Sequence, residues 1–193
     1  MELFYTPRSH FSRKVRLLLD GWGVSIALRD VGNVADAEPG PFGPNPLMKV
    51  PTLVDGSTVV FDSDHIAAYL TRKVDPADRY GVLTDDPGLL NLRAVANGIM
   101  AAEVELLLAR RTGIATDGLV RFEKIRSSIL AGMEWLERHA SLYPVGPSYA
   151  GFHLVAVWDH LALYGVVDLE HERLRELVAR LSESELVARS APR

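Results

Sequence analysis

The hydrophobic pattern of the chain changes period once, and that change constrains the fold more than any single residue does. Up to residue 72, short β-rich runs alternate with helical stretches; from residue 87 onward only the helical period remains. Such a chain is an α/β unit followed by an all-helical one.

Residues 2–6 (ELFYT) form a β-rich run that Pro7, Arg8 and Ser9 break. Phe11, Val15, Leu18, Leu19 and Trp22 then fall at helical spacing, and Gly21 and Gly23 end that helix. In residues 24–31, Val24, Ile26 and Leu28 alternate with smaller or polar residues, which predicts a strand buried mainly on one face. Residues 33–46 are dense in Gly and Pro and read as a loop with at most one irregular helical turn. Residues 51–54 and 57–61 are short strands joined across Asp55-Gly56, a dipeptide suited to a tight hairpin. Ser63 is placed to cap a helix whose inward stripe is Ile66, Ala67 and Leu70. The order to this point is βαβ, loop, ββα.

The stretch 75–87 (DPADRYGVLTDDP) is rich in Asp, Pro and Gly and poor in apolar residues, as a connection between domains is. Residues 1–74 are therefore expected to form one domain, 75–86 a linker and 87–193 a helical bundle. Asp86 and Pro87 suit the cap and first turn of a long helix carrying Leu92, Val95, Ile99, Met100, Leu106 and Leu107. Phe122, Ile125, Ile129, Met133 and Leu136 mark a second helix, and Leu174, Leu177, Val178 and Leu181 a last one. Residues 148–164 are apolar on nearly every side, which predicts a helix at the centre of the bundle.

Composition removes several functions. The net charge of −4 gives no drive toward phosphate backbones or anionic lipid, so neither nucleic acid nor membrane is an expected partner. No apolar run approaches the roughly 20 residues of a membrane span, and the expected location is the cytosol. Without cysteine the chain forms no disulfide, no Cys-ligated metal site and no thiol nucleophile. His65, His139, His153, His160 and His171 show no His-x-x-x-His or carboxylate clustering, and no metal is expected.

Residues 45–53 (NPLMKVPTL), then Asp55-Gly56, Phe61-Asp62-Ser63 and 66–70 (IAAYL), resemble the glutathione-binding signature of glutathione S-transferases. Residues 5–16 (YTPRSHFSRKVR) resemble that family's first turn and helix, and the two-part layout is similar over nearly the whole chain. The resemblance implies a thioredoxin-like N-terminal domain, with Pro51 in a cis peptide so that Val50 offers its backbone to the cysteinyl part of glutathione. It also implies that Asp62 and Ser63 meet the γ-glutamyl carboxylate at a helix N-terminus and that Lys49 lies near the glycyl carboxylate. The same residues also have plainer readings: a helix cap for Ser63, a favourable charge for Asp62, an edge-strand proline for Pro51 and a surface charge for Lys49.

Conjugation requires a thiolate at neutral pH, whereas a free thiol has a pKa near ~8.5. Ser9 matches the position where several classes of the family carry a catalytic Ser or Cys, and is the first candidate to donate a hydrogen bond to the sulfur. Tyr5 and Ser12 are competing hydroxyls, and Ser9 could equally be the cap of the first helix. The activity implied is transfer of glutathione, as co-substrate, to small hydrophobic electrophiles held near Ile99, Met100, Glu103 and Leu107. A glutathione-dependent isomerase or dehalogenase and a non-catalytic binding protein are alternatives within the superfamily. A homodimer is the usual assembly, and exposed apolar surface near Phe42 or Met100 would support it. Two positions depart from the family: His10 stands where many relatives have Pro, and Gly151 replaces the usual Asp of the capping box that opens at Ser148.

Overall fold

A computed structural model describes residues 1–192. Leu3, Val15, Leu19, Leu53, Ile66 and Leu70, drawn from every early element but the edge strands, form one apolar cluster against a four-stranded sheet. The strands are β1 (Glu2–Tyr5), β2 (Ala27–Asp30), β3 (Thr52–Asp55) and β4 (Thr58–Phe61), in the order β2-β1-β3-β4. β1 and β2 run parallel, joined by the crossover helix α1 (His10–Trp22); β3 is antiparallel to β1 and to β4. Helix α2 (Ser63–Val74) packs with α1 over the sheet. This is a thioredoxin-like sheet, and the Gly/Pro-dense stretch contains a single 3₁₀ turn at Gly40–Phe42.

Two expectations shift. β2 starts only at Ala27 and is exposed along its length, because it is the sheet's outer strand; Val24 and Ile26 lie before it and pack partly against the core. Asp62, not Ser63, caps α2, its carboxylate accepting from Asp64 N at 2.8 Å. That leaves Ser63 as the first helical residue.

The helical part comprises α3 (Pro87–Arg111), α4 (Val120–Arg138), α5 (Tyr149–Tyr164), α6 (Glu172–Ser182) and a short α7 (Glu185–Arg189) that the apolar pattern did not announce. Asp86 caps α3 through Leu89 N at 3.0 Å, with Pro87 at the first turn. Helix α5 is the central one: Phe152, Leu154, Val155, Val157 and Leu161 are all enclosed. Ser148 caps it through Gly151 N at 3.1 Å. A Cβ at Gly151 would lie 3.2 Å from Leu181 Cδ1, so α6 occupies the space where a capping-box carboxylate would stand.

The connecting stretch is pinned rather than loose. Asp75 Oδ2 accepts from Trp22 Nε1 at 2.9 Å and from Arg79 N at 3.0 Å, and Asp78 receives Val82 N and Leu83 N. Arg93 Nη1 donates to Val82 O at 2.8 Å. Among the described residues no helix is long and apolar enough to cross a membrane.

Candidate functional site

Strand register gathers the predicted residues at one end of the sheet. Phe4 and Phe61 both pair with Thr52, so the end of β1, the entry to β3 and the exit of β4 meet there. Val50-Pro51 directly precedes β3 and its peptide bond is cis. Asp62 and Ser63 directly follow β4, and Ser9 follows β1 after one turn. The register thus places Ser9, Val50, Pro51, Asp62 and Ser63 at the same end of the sheet, with Lys49 exposed.

The loop before Pro51 is held by Asn45, which is nearly fully buried. Its Nδ2 donates to Lys49 O at 2.8 Å and to Thr52 Oγ1 at 2.9 Å, while its Oδ1 accepts from Leu47 N at 2.9 Å. Asp62 adopts φ of 69°, a left-handed value costly for a non-glycine residue. Its carboxylate compensates by closing on the first turn of α2, where it takes Asp64 N, one of the first N–H groups of that helix that have no intrahelical acceptor.

The three hydroxyls are now distinguishable. Ser9 caps α1, its Oγ accepting from Ser12 N at 3.1 Å, and it is only half-buried. A hydroxyl that accepts still has its own proton to donate, so the capping role and a role toward a ligand are compatible. Ser12 is fully enclosed and its hydroxyl has no partner. Tyr5 lies at the end of β1 with the Arg16 guanidinium 5.3 Å from its ring centroid.

Beneath the start of α2 lies a polar network that no local motif revealed. Lys14 Nζ, without solvent exposure, donates to Asp64 Oδ1 at 3.0 Å, Asn97 Oδ1 at 2.7 Å and His153 Nε2 at 2.8 Å, which engages all three of its protons. His153 Nδ1 donates to Tyr149 O at 2.8 Å, so its Nε2 is left to accept from Lys14. Tyr149 OH donates to Asp64 Oδ1 at 2.7 Å and Asn97 Nδ2 to Asp64 Oδ2 at 2.8 Å. Burial brings the Lys14 ammonium down to about 8 against the pull of Asp64, and burial with the Lys14 charge brings His153 to about 4. Burial raises the Asp64 carboxyl, but its contacts with His153, Lys14 and Tyr149 outweigh that and hold it below the usual carboxylate range.

The residues expected to line an electrophile pocket mostly do not reach one. Ile99 is directed at α4, where a Cβ on Gly132 would lie 2.8 Å from Ile99 Cγ1. Met100 and Glu103 are enclosed between α1, α3 and α5, and Leu107 alone of the four is half-buried. The reason is that α3 packs on two sides, so its apolar period does not say which side faces the sheet end. Phe42 and Met100 are themselves buried, while Leu47 and Met48, in the same loop as Phe42, are exposed. The histidine reading also changes: His10 and His160, far apart in sequence, converge on Glu103.

The sheet order, the cis Val50-Pro51 bond and the capped N-terminus of α2 are features of a thioredoxin-like fold. Residues 3–78 match the model of the glutathione S-transferase N-terminal domain. The match covers the N-terminal part, and over its whole length the chain shares the fold of solved glutathione S-transferases. Among solved structures, it is similar to a glutathione S-transferase from Methylobacterium radiotolerans in complex with glutathione sulfonate, at 23% identity and TM-score 0.79, covering 99% of this chain and 94% of that one. A glutathione S-transferase from Methylobacillus flagellatus with glutathione bound is similar at 20% identity and TM-score 0.83, covering 100% and 99%. A holo maleyl pyruvate isomerase, a bacterial glutathione S-transferase of the Zeta class, is similar at 22% identity and TM-score 0.74, covering 100% and 97%. Among curated proteins none matches the chain in sequence.

Proposed function

We propose that this chain is a glutathione transferase in which Ser9 stabilises the glutathione thiolate for attack on a small hydrophobic electrophile. The observation that supports this best is the geometry of Ser9: a half-buried hydroxyl at the N-terminus of α1 that spends its lone pair on Ser12 N and keeps its proton for an anion. Val50 would pair with the cysteinyl backbone, Asp62 and Ser63 would hold the γ-glutamyl end at the start of α2, and Lys49 would meet the glycyl carboxylate. In this reading residues 1–74 hold the tripeptide, 75–86 connect, and 87–193 supply the electrophile side, with Leu107 its surviving candidate. The thiol proton goes to solvent, the sulfur electron pair forms the new carbon–sulfur bond, and the electrophile's leaving group departs with its own electron pair or, in an addition, the adjacent carbon is protonated. We place the protein in the cytosol and expect a homodimer.

Isomerisation is the second reading, favoured by the likeness to the maleyl pyruvate isomerase. There the same thiolate adds and is later expelled, so the glutathione site is unchanged.

Glutathione binding by calorimetry, on wild type and Ser63→Ala, tests the site, and ultraviolet absorbance of bound thiolate, on wild type and Ser9→Ala, tests the activation. Binding weakened by Ser63→Ala with the thiolate band lost in Ser9→Ala is the expected result. No binding by folded wild type overturns the enzyme reading.

A further inference from the structure

One enclosed cluster takes no part in the chemistry just described. His10 from α1, Glu103 from α3 and His160 from α5 converge beside Ser9, and each is at least nine-tenths buried. Neither carboxylate oxygen of Glu103 receives a hydrogen bond, and His160 Nδ1 has no hydrogen-bond partner either. Yet His160 Nδ1 stands 2.8 Å from Glu103 Oε1, and His10 Nε2 stands 3.6 Å from Oε2. Buried polar atoms brought this close without hydrogen-bond alignment are poorly stabilised unless something else meets them. A carboxylate sealed from water is likewise strongly disfavoured without a compensating charge.

We propose that His10, Glu103 and His160 form a binding site for a divalent transition cation of the zinc type. Two imidazoles and one carboxylate are a ligand set that suits zinc. With metal–ligand bonds of ~2.0–2.1 Å, neighbouring donors around a tetrahedral ion lie on the order of 3.3 Å apart. The observed 2.8 Å and 3.6 Å separations bracket that value, and one ligand atom from each residue lies within 4.8 Å of the others. His10 Nε2 now donates to Met100 O at 3.2 Å, so binding through that nitrogen requires the tautomer protonated at Nδ1 and leaves the Met100 carbonyl without that donor. Phe11 N donates to His10 Nδ1 at 3.1 Å in the metal-free ring, a contact that the change of tautomer gives up. The Lys14 ammonium is the nearby charge that opposes the ion, and the Glu103 carboxylate is the one that favours it. A cation here would tie the first residue of α1, next to Ser9, to α3 and α5.

The test uses the full chain, stripped with a chelator and kept free of glutathione, whose thiol itself binds zinc. Stripped protein is exposed to Zn²⁺ both folded and during refolding, so that burial does not limit entry. One equivalent of zinc retained after gel filtration, a raised Tm, and visible d–d absorption when Co²⁺ replaces zinc are the expected results. His160→Gln and Glu103→Gln should each weaken zinc binding more than about 10-fold, whereas His65→Gln should not. Glu103→Leu, which replaces an unpartnered buried carboxylate with an apolar side chain, serves as the variant that stays folded and gives no cobalt bands. No zinc retention or thermal shift by wild type in either treatment overturns the proposal, as does equal zinc binding by wild type, His160→Gln and Glu103→Leu.

Discussion

Asp64 Oδ1 accepts from Lys14 Nζ at 3.0 Å, and this contact fastens the helix that begins at Ser63 to the helix that Ser9 caps. Asn97, Tyr149 and His153 complete the arrangement from the helical part. The helix ends assigned to the γ-glutamyl group and to the thiolate of glutathione therefore rest on one shared charge pair.

Asp64→Asn should cost on the order of 3 kcal/mol, because it leaves the fully buried Lys14 ammonium without its counter-charge. Urea unfolding of Asp64→Asn, and of Asp64→Asn with Lys14→Met, checks this. The double variant should recover part of the loss, since it removes the stranded charge. If the two are equally unstable, the ion pair is not what holds the helices. Glutathione affinity should fall in Asp64→Asn as the start of α2 loses its support.

The pH dependence follows from His153. Its folded value of about 4 lies below the ordinary 6.5, so between those limits the unfolded chain binds a proton that the folded one does not. Stability should therefore fall as pH drops from 6.5 toward 4, by on the order of 3 kcal/mol over the whole window. His10, also pulled down chiefly by burial, acts with the same sign, while Glu103, pushed up by burial, acts against it. Comparing wild type with His153→Gln at pH 7 and pH 5 isolates the His153 share. Parallel curves for the two proteins would contradict the assignment of a neutral His153.

Gly132 of α4 faces Ile99 of α3. Gly132→Ala gains about 1 kcal/mol in helix propensity, but its Cβ would lie 2.8 Å from Ile99 Cγ1 and overpacking costs about 1–3 kcal/mol. A net loss of stability is expected in wild type. In an Ile99→Ala background the same substitution should stabilise, and thermal melts of the four proteins decide it. A gain in both backgrounds would show that Ile99 yields without cost.

Arg13 is nearly fully buried and anchors the C-terminal end of the described chain: Nη1 donates to Asp159 Oδ2 at 2.7 Å and Val155 O at 3.0 Å, and Nε to Ser190 Oγ at 2.9 Å. Arg13→Met should release α7 before anything else. Limited proteolysis with mass analysis is expected to find new cleavage near 182–190 while the remaining core resists. Unchanged cleavage would mean that Val187, itself buried, suffices to hold α7.

Much of the fold could be read from local signals. Asp86-Pro87, Ser148 and the Asp55-Gly56 hairpin act within a few residues of themselves, so the chain order alone exposes them. Pro51 and Ser63 adjoin short strands and Ser9 follows the turn after β1, so chain order and register together place all three at one end of the sheet. The Asp64 network was not legible, because its members lie 33 to 89 positions from Asp64 and each alone looks like an ordinary helix residue. Ile99 misled for a different reason: a helix packed on two faces has no single apolar stripe from which its outlook can be inferred. Gly151, a departure from the capping box in sequence, is explained only by Leu181, thirty residues away, lying over it.

Because Lys14 and Asp64 draw three of their partners from α3 and α5, the two parts of this chain are not exchangeable cassettes. An N-terminal part grafted onto another helical bundle would carry an ammonium and a carboxylate whose remaining donors and acceptors stayed behind. Any lineage that recombined such halves would have to move residues 97, 149 and 153 together with 14 and 64, or replace the whole set at once with apolar side chains.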